Sequence, residues 1–306
     1  MMATILERPA TAAPPTPLNA LTIDVEDFYQ VSAFEHCVDR SQWDAYEPRV
    51  SIGTYKILEI LENAGVRATF FVLGWVADRQ PELVRAIHTA GHEVASHGYW
   101  HRLIYQQTPD EFRADVRRAR VLLEDLTGEA VTAYRAPSFS ITRRNLWALD
   151  VLIEEGFSFD SSIYPTYHDR YGIAGAPLGP HRIVRPAGTI CEFPGTVWRG
   201  LRYPLPVGGG GYLRLYPYVL TRMGLGAISR ADRPFVAYLH PWELDPEQPR
   251  LRPGRLEAFR HYVNLHRTEE RLVRLLRDFP MGTLSEAFAR WGQSRALETW
   301  DLRVAA

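Results

Sequence analysis

Short apolar segments alternate with amphipathic segments through the first half of the chain, and this alternation constrains the fold more than any other feature. Residues 21–28 and 66–73 are rich in β-branched and aromatic side chains, as buried strands are. Between them, residues 51–64 have the apolar spacing of a helix and are followed by Gly65, a common residue at helix ends. Because the pattern continues to about residue 162, the sequence predicts an α/β fold built on a parallel sheet.

The composition limits the classes of function. The chain has 306 residues, of which 46% are hydrophobic and 23% charged, enough for one barrel-sized domain or two smaller ones. Its formal net charge of −1 gives no electrostatic footprint for nucleic acid or an anionic membrane. Its two cysteines exclude a disulfide framework. A small or neutral substrate therefore fits the chain better than a nucleic acid.

The N-terminal residues 1–20 contain four prolines and lack the basic and apolar segments of a signal peptide. They are typical of a disordered tail. No apolar run in the chain approaches the roughly 20 residues of a transmembrane helix. We therefore expect a cytoplasmic protein without a transmembrane segment, and a position next to a membrane stays open.

Polar side chains stand where the predicted strands end. Asp24, Glu26 and Asp27 end the first strand, and His97 and His101 follow a later one. A glycine directly after the first histidine argues against the helical histidine pair of a metalloprotease. Two imidazoles four residues apart can bind one divalent metal. The alternatives are two surface histidines and a solvated acidic turn.

Later strands end in the same way, at Arg135, Asp160 and His240. In a β/α barrel the carboxyl ends of the strands converge on one face, so these residues are expected to meet. One carboxylate and two histidines form a metal site with open coordination positions. Such a ligand set suits zinc, with cobalt, manganese or nickel as alternatives.

On these residues the chain resembles the polysaccharide deacetylase family, metal-dependent carbohydrate esterases with a nodulation-factor-deacetylase type domain. The matching motifs are Thr22-Ile23-Asp24, His97 with His101, Arg135-Ala136-Pro137 and Leu239-His240. The likeness covers residues 21–162. It continues through residues 182–288 in the manner of members found beside bacterial exopolysaccharide and exosortase gene clusters. The resemblance implies a distorted (β/α) barrel of the polysaccharide deacetylase type.

The resemblance also implies a role for individual residues. Asp24 is expected to be the general base, Arg135 to orient it, and His240 to be the general acid. The backbone N–H of Ser138 is expected to help hold the oxyanion. Asp160 corresponds loosely to the family residue that supports the acid.

By the same resemblance, the metal ligands are expected to be His97, His101 and one carboxylate near the base. In the family that carboxylate directly follows the base, but Val25 stands at this place in the present chain. The ligand is therefore Asp27, which we favour, or Glu26.

Residues 166–233 interrupt the alternation and are rich in proline and glycine. They predict an irregular insertion with short strands, between a deacetylase barrel over residues 21–165 and a last strand with C-terminal helices over residues 234–306. The four glycines at 208–211 are more typical of a flexible loop than of a ligand cradle. Trp198 and Tyr212 are expected to line a carbohydrate groove, with a covering role on the barrel as the alternative.

These features predict a metal-dependent hydrolase that removes N-acetyl groups from amino sugars of an exopolysaccharide or its precursor. One alternative is hydrolysis of another C–N bond, such as a small cyclic amide, on the same barrel. A second alternative is a non-catalytic carbohydrate-binding relative. The presence of a base, two histidines, an arginine and an acid in one chain argues against the second. The sequence leaves the oligomeric state open.

Overall fold

The computed structural model describes residues 16–167, 171–200 and 204–303, so residues 1–15 of the expected tail lie outside the described residues. The strands in the described ranges are β1 (Asn19–Val25), β2 (Thr69–Val72), β3 (Glu93–Ser96), β4 (Ala133–Tyr134), β5 (Phe159–Asp160), β6 (His181–Arg185), β7 (Gly188–Glu192), β8 (Val197–Trp198), β9 (Leu205–Pro206), β10 (Val236–Leu239), β11 (Met281–Gly282) and β12 (Glu298–Asp301). The α-helices in the same ranges are α1 (Val50–Ala64), α2 (Gly74–Arg79), α3 (Pro81–Thr89), α4 (Pro109–Thr127), α5 (Trp147–Glu154), α6 (Gly210–Leu215), α7 (Tyr218–Arg230), α8 (Arg255–Tyr262), α9 (Thr268–Asp278) and α10 (Leu284–Ser294).

The main sheet has the strand order β10-β1-β2-β3-β4-β5-β7-β6-β12, with β11 beside β1. All neighbours from β10 to β7 are parallel, and β6 and β7 form an antiparallel hairpin. The α/β prediction is therefore confirmed, and the mixed, helix-covered sheet is consistent with a distorted barrel. The predicted insertion over residues 166–233 contributes β6 and β7 to this sheet, together with the separate β8-β9 pair and helices α6 and α7.

Both faces of the sheet are buried, which explains why its strands are almost continuously apolar. On the outer face, alternate residues such as Ile23 and Phe70 pack under the helices. On the inner face, Phe71 packs with small and aromatic residues of neighbouring strands and with Phe288 of α10. The two apolar faces fix the register of each strand, because a shift by one residue would exchange them.

Helix boundaries follow local sequence signals. The α1 helix ends at Gly65 in the left-handed conformation, with φ of 63°. The α10 helix begins with a capping box, in which Thr283 and Glu286 each satisfy a backbone N–H of the other residue. No helix in the described part of the chain is both long enough and apolar enough to span a bilayer.

The four-glycine run was expected to be a flexible loop. Only part of it is a loop, because Gly210 begins α6. Glycine is required here by close approach of the backbone to other atoms. A Cβ atom on Gly208 would lie 2.3 Å from the Val236 carbonyl oxygen. A Cβ atom on Gly210 would lie 2.2 Å from Oε1 of Glu243, whereas one on Gly211 would meet nothing within 4 Å.

Alanine at these two neighbouring glycines should therefore have opposite effects on stability. Gly210→Ala should lower the free energy of unfolding by about 1–3 kcal/mol, because the new methyl group overlaps the Glu243 carboxylate. Gly211→Ala should be neutral or should raise it by up to about 1 kcal/mol, because alanine favours helix. Urea unfolding of both variants measures the difference, and equal destabilisation by the two substitutions would contradict this packing.

Candidate functional site

The predicted site residues meet because the strands that carry them end in register. Ile23 pairs with Leu239 on one side and with Phe70 on the other. Ser96 pairs with Tyr134, directly before His97 and Arg135. Asp24, His97, Arg135 and His240 therefore lie at one end of the sheet, as the barrel prediction requires.

Arg135 is fully buried, and its guanidinium group is bound to two other segments of the chain, β1 and the residues after β5. Its Nη1 donates to Oδ1 of Asp24 and to Oγ1 of Thr22, both at 2.7 Å. Its Nε and Nη2 donate to the carbonyl and hydroxyl oxygens of Ser161 at 3.1 and 2.9 Å. These contacts fix the Asp24 carboxylate, with its second oxygen 3.9 Å from Nε2 of His240.

Glu26, His97 and His101 form the cluster that could hold a metal ion. All three are buried, and one nitrogen or oxygen atom from each lies within 4.8 Å of the others. Oε2 of Glu26 is 2.6 Å from Nε2 of His101. Nδ1 of His97 donates to the Arg135 carbonyl oxygen at 2.8 Å, which leaves its Nε2 for the cluster. His101 has φ of 51°, an uncommon backbone conformation for a residue with a side chain.

Asp27, the carboxylate that the sequence analysis favoured, is not in this cluster. Its Oδ2 accepts hydrogen bonds from the backbone N–H groups of Arg49 and Val50, at 2.7 and 2.9 Å. Its Oδ1 accepts from Phe28 N–H at 2.8 Å. Asp27 thus binds the first turn of α1, where an anion is stabilised by the helix dipole. This geometry corrects the choice to Glu26, which sequence reasoning kept as the alternative.

The chemistry of the cluster fits a divalent cation. Burial raises the pKa of Glu26, but the charges of His101, His240 and His97 outweigh it and lower the pKa to about 2. Burial lowers the pKa of His97 to about 4, so its imidazole is neutral near pH 7. Oε2 of Glu26 is buried and has no hydrogen-bond donor with suitable geometry among the described residues. One carboxylate with two imidazoles is a common ligand set for catalytic zinc.

His240 is held by Glu243, a residue that the sequence analysis did not single out. Nδ1 of His240 donates to Oε1 of Glu243 at 2.7 Å, and Nε of Arg214 donates to Oε2 of the same carboxylate at 2.6 Å. Arg214 also donates to the carbonyl oxygens of His261 and Val263, both at 2.8 Å. The available signal in the sequence was a carboxylate three residues after a strand-end histidine.

These contacts govern the charge of the pair. Burial raises the pKa of Glu243, but Arg214 and His240 outweigh it and lower the pKa to about 2. Burial lowers the pKa of His240, but its hydrogen bond to Glu243 and the charges of Glu26, Glu243 and Asp24 raise it to about 9. His240 therefore carries a proton near neutral pH, as a general acid must.

Removing the Glu243 carboxylate should destabilise the protein strongly. Glu243→Ala should lower the free energy of unfolding by about 3–5 kcal/mol, because Arg214 stays buried without its anionic partner. Arg214→Met/Glu243→Ala should cost about 1–3 kcal/mol less than the sum of the single changes, since both charges are then absent. Chemical denaturation of the three variants gives this coupling energy. Additive losses would show that the two side chains do not act as a pair.

Asp160 was expected from the sequence to support His240, but it does not contact His240. It accepts a hydrogen bond from the Ser162 hydroxyl at 2.5 Å and lies beside Glu192, its partner on the neighbouring strand β7. Burial raises the pKa of Asp160. Burial and the Asp160 charge also raise the pKa of Glu192 well above its ordinary value of 4.5. Because a carboxyl group with a raised pKa keeps its proton beside an ionised one, we expect Glu192 to donate a shared proton to Asp160.

This shared proton should make stability depend on pH. Because the folded pKa of Glu192 exceeds the unfolded one, its contribution is complete below about pH 4.5 and is lost as pH rises through the folded pKa. Glu192→Gln keeps a donor toward Asp160 without a titrating proton. It should therefore show a smaller fall in the free energy of unfolding between about pH 5 and pH 8 than the parent chain. An identical fall in both proteins would contradict the shared proton.

The remaining predicted residues fall in different places. Ser138 follows Arg135 by three residues and has φ of 52°, and Phe139 after it has φ of 53°. Two successive residues in this uncommon conformation mark a constrained segment next to the site. Tyr212 lies in a row of aromatic rings, whereas Trp198 packs against Gly224 of α7.

The aromatic row leads away from His240. Tyr238 lies 6.1 Å from the His240 ring, measured between ring centroids. Phe139 is 5.0 Å from Tyr238 and 5.1 Å from Tyr164, which is 5.4 Å from Tyr171. The hydroxyl groups of Tyr171 and Tyr212 are 3.2 Å apart. The row therefore connects the end of the sheet with α6.

Comparison with known families identifies the domain that carries part of this site. Residues 43–152, which include both histidines and Arg135, match the family model described as polysaccharide deacetylase. The chain contains a polysaccharide deacetylase domain. Residues 161–289, which supply Arg214, His240 and Glu243, match a family model described as a domain of unknown function.

Curated relatives of the deacetylase domain include three enzymes. A peptidoglycan-N-acetylglucosamine deacetylase of Bacillus cereus is 31% identical over 120 residues, which are 35% of this chain and 44% of that protein. A peptidoglycan deacetylase of Helicobacter pylori is 29% identical over 125 residues, 40% of this chain and 42% of that protein. A chitooligosaccharide deacetylase of Bradyrhizobium is 32% identical over 99 residues, 32% of this chain and 43% of that protein. The chain thus spans less than half the length of these relatives.

Solved structures show the same fold. A candidate polysaccharide deacetylase from Mycobacterium smegmatis has a TM-score of 0.62 and 23% identity, covering 95% of this chain and 96% of that one. The peptidoglycan deacetylase PdaC from Bacillus subtilis has a TM-score of 0.50 and 14% identity, covering 92% and 95% of the two chains. These likenesses confirm the deacetylase-type α/β architecture.

Proposed function

We propose that the protein is a metal-dependent deacetylase that removes N-acetyl groups from amino sugars of an exopolysaccharide or its precursor. The observation that carries the proposal is the meeting of Asp24, His240 and the Glu26, His97 and His101 cluster at one end of the sheet. A polysaccharide deacetylase domain and deacetylase relatives support the reaction class. The exopolysaccharide substrate rests on the resemblance described from the sequence.

The ligands of the metal in this proposal are Glu26, His97 and His101. Zinc suits them, although cobalt, manganese and nickel accept the same ligand types. When bound, such an ion polarises the acetamide carbonyl and makes water a stronger nucleophile. The other ring nitrogen of His97, Nδ1, donates to the Arg135 carbonyl oxygen. This hydrogen bond keeps the imidazole oriented toward the cluster.

Two side chains move the protons. Asp24, paired with Arg135, takes a proton from the attacking water. His240, already protonated, gives its proton to the sugar nitrogen as the C–N bond breaks, so acetate and a free amine leave. Glu243 keeps the His240 ring in place from the opposite nitrogen. The backbone N–H of Ser138 is the proposed donor to the oxyanion.

Release of acetate from N-acetylglucosamine oligomers tests the reaction. A chelator should abolish it. Asp24→Asn and His240→Ala should each lower turnover by roughly a hundredfold or more, because each removes one positioned proton carrier. Asp39→Asn, a change at an exposed cap of a short helix, should leave the rate unchanged.

The proposal fails if no N-acetylated sugar releases acetate from the metal-loaded protein. It also fails if the Asp24 and His240 variants retain the rate of the Asp39 control.

We propose that aromatic side chains of this region line a carbohydrate groove. Tyr238, Tyr171 and Tyr212 of the row are half-buried, as is Tyr216, whose ring centroid is 5.7 Å from that of Tyr212. Aromatic faces are suitable platforms for sugar rings, and a row of them fits a chain of sugars better than one sugar. Trp198 is not part of the proposed groove, because its ring packs on α7.

Tyr212→Ala should therefore weaken the use of long oligomers more than that of a monosaccharide. We expect its KM to rise about tenfold for an oligomer and by less than about twofold for N-acetylglucosamine, the usual loss for one contact side chain. Trp198→Ala should lower stability without changing the preference for chain length. Equal effects of Tyr212→Ala on both substrates would remove Tyr212 from the groove.

A further inference from the structure

The C-terminal helices expose a group of large apolar side chains. Leu215 of α6, Val219 and Met223 of α7, and Leu256 and Phe259 of α8 are all at least 45% exposed. The α6 helix contacts both α7 and α8, so these helices form one continuous part of the surface. Exposed apolar side chains grouped in this way indicate an interaction surface rather than ordinary scatter.

The α8 part of this surface is also basic. Leu256 and Phe259 are 55% and 54% exposed and stand among Arg250, Arg252, Arg255 and Arg260. We call these six residues the α8 surface. Over residues 247–260 the chain has these four arginines against two glutamates, a local excess that the overall net charge of −1 conceals.

The arginines of the α8 surface differ from those elsewhere on the protein. On α4, Arg113 and Arg117 are ion-paired with Glu154 and Glu155. By contrast, no carboxylate of the described residues lies within 4.0 Å of the four guanidinium groups of the α8 surface. The guanidinium group of Arg250 instead lies 4.2 Å from the centre of the Tyr262 ring. Their charge is therefore available to an external anionic partner.

The α8 surface lies close to the catalytic end of the sheet. The ring of His261, in the last turn of α8, stacks on Trp242 at 4.0 Å between centroids. Trp242 in turn stacks on His240 at 5.1 Å. The α8 helix is therefore joined to His240 through two stacked rings.

We infer that the α8 surface binds an anionic lipid membrane. Arginines around exposed leucine and phenylalanine are the features of a segment that lies in the lipid–water interface, with the apolar side chains inserted and the cations at the head groups. A symmetric dimer through this surface would bring the same arginines against one another, which disfavours a second copy as the partner. Nucleic acid would use the arginines but not the two apolar side chains.

Sedimentation with lipid vesicles tests this inference on the full chain. The protein should bind vesicles of phosphatidylcholine mixed with phosphatidylglycerol, bind phosphatidylcholine alone at least tenfold more weakly, and lose binding at about 1 M salt. Arg252→Glu/Arg255→Glu and Leu256→Asp/Phe259→Asp should each weaken binding about tenfold or more. Val121→Asp, at a 50% exposed position on α4, is the matched control and should bind like the parent chain.

All of these positions are exposed, so thermal unfolding should confirm that each variant folds like the parent chain. Acetate release from a soluble oligomer should also be unchanged, which separates a failure of membrane binding from a failure of the proposed reaction. The inference is overturned if the parent chain does not bind the anionic vesicles, or if the two double variants bind as well as Val121→Asp. A dimer that Leu256→Asp/Phe259→Asp dissociates, without vesicle binding, would assign the surface to self-association instead.

Discussion

The buried guanidinium group of Arg135 joins the parts of the site to one another. It binds Asp24 and Thr22 of β1 and both oxygens of Ser161 after β5, while its own residue follows β4. The carbonyl oxygen of Arg135 also holds the ring of His97. Because a buried arginine is stable only when its donors are satisfied, the same contacts that bury this charge fix the proposed base and one proposed metal ligand.

The proposed acid depends on a second buried arginine, in the part of the chain that matches a domain of unknown function. Arg214 binds Glu243, which holds His240, and its other nitrogens bind carbonyl oxygens at the end of α8. Residues 161–289 therefore complete the site that the deacetylase domain begins. The close approach of Gly210 to Glu243 belongs to the same arrangement, because a side chain at this position would displace the carboxylate.

Much of this arrangement could be predicted from the sequence. Parallel strands place their carboxyl ends together, so Asp24, His97, Arg135 and His240 were predictable from their positions alone. The choice between Glu26 and Asp27 was not, because it depends on which carboxylate reaches the first turn of α1 after a tight bend. Glu243 was missed because its role depends on Arg214, whose position relative to it is set by the packing of α6 and not by local sequence.

The central claim is that Glu26, His97 and His101 bind the catalytic metal while Asp27 holds a helix. Elemental analysis of untagged protein loaded with zinc and then desalted tests this claim most directly. We expect about one zinc ion per chain in the parent protein, at the ratio of a single three-ligand site. Glu26→Ala should lose the zinc and Asp27→Asn should keep it. Zinc retained in Glu26→Ala but lost in Asp27→Asn would contradict the account.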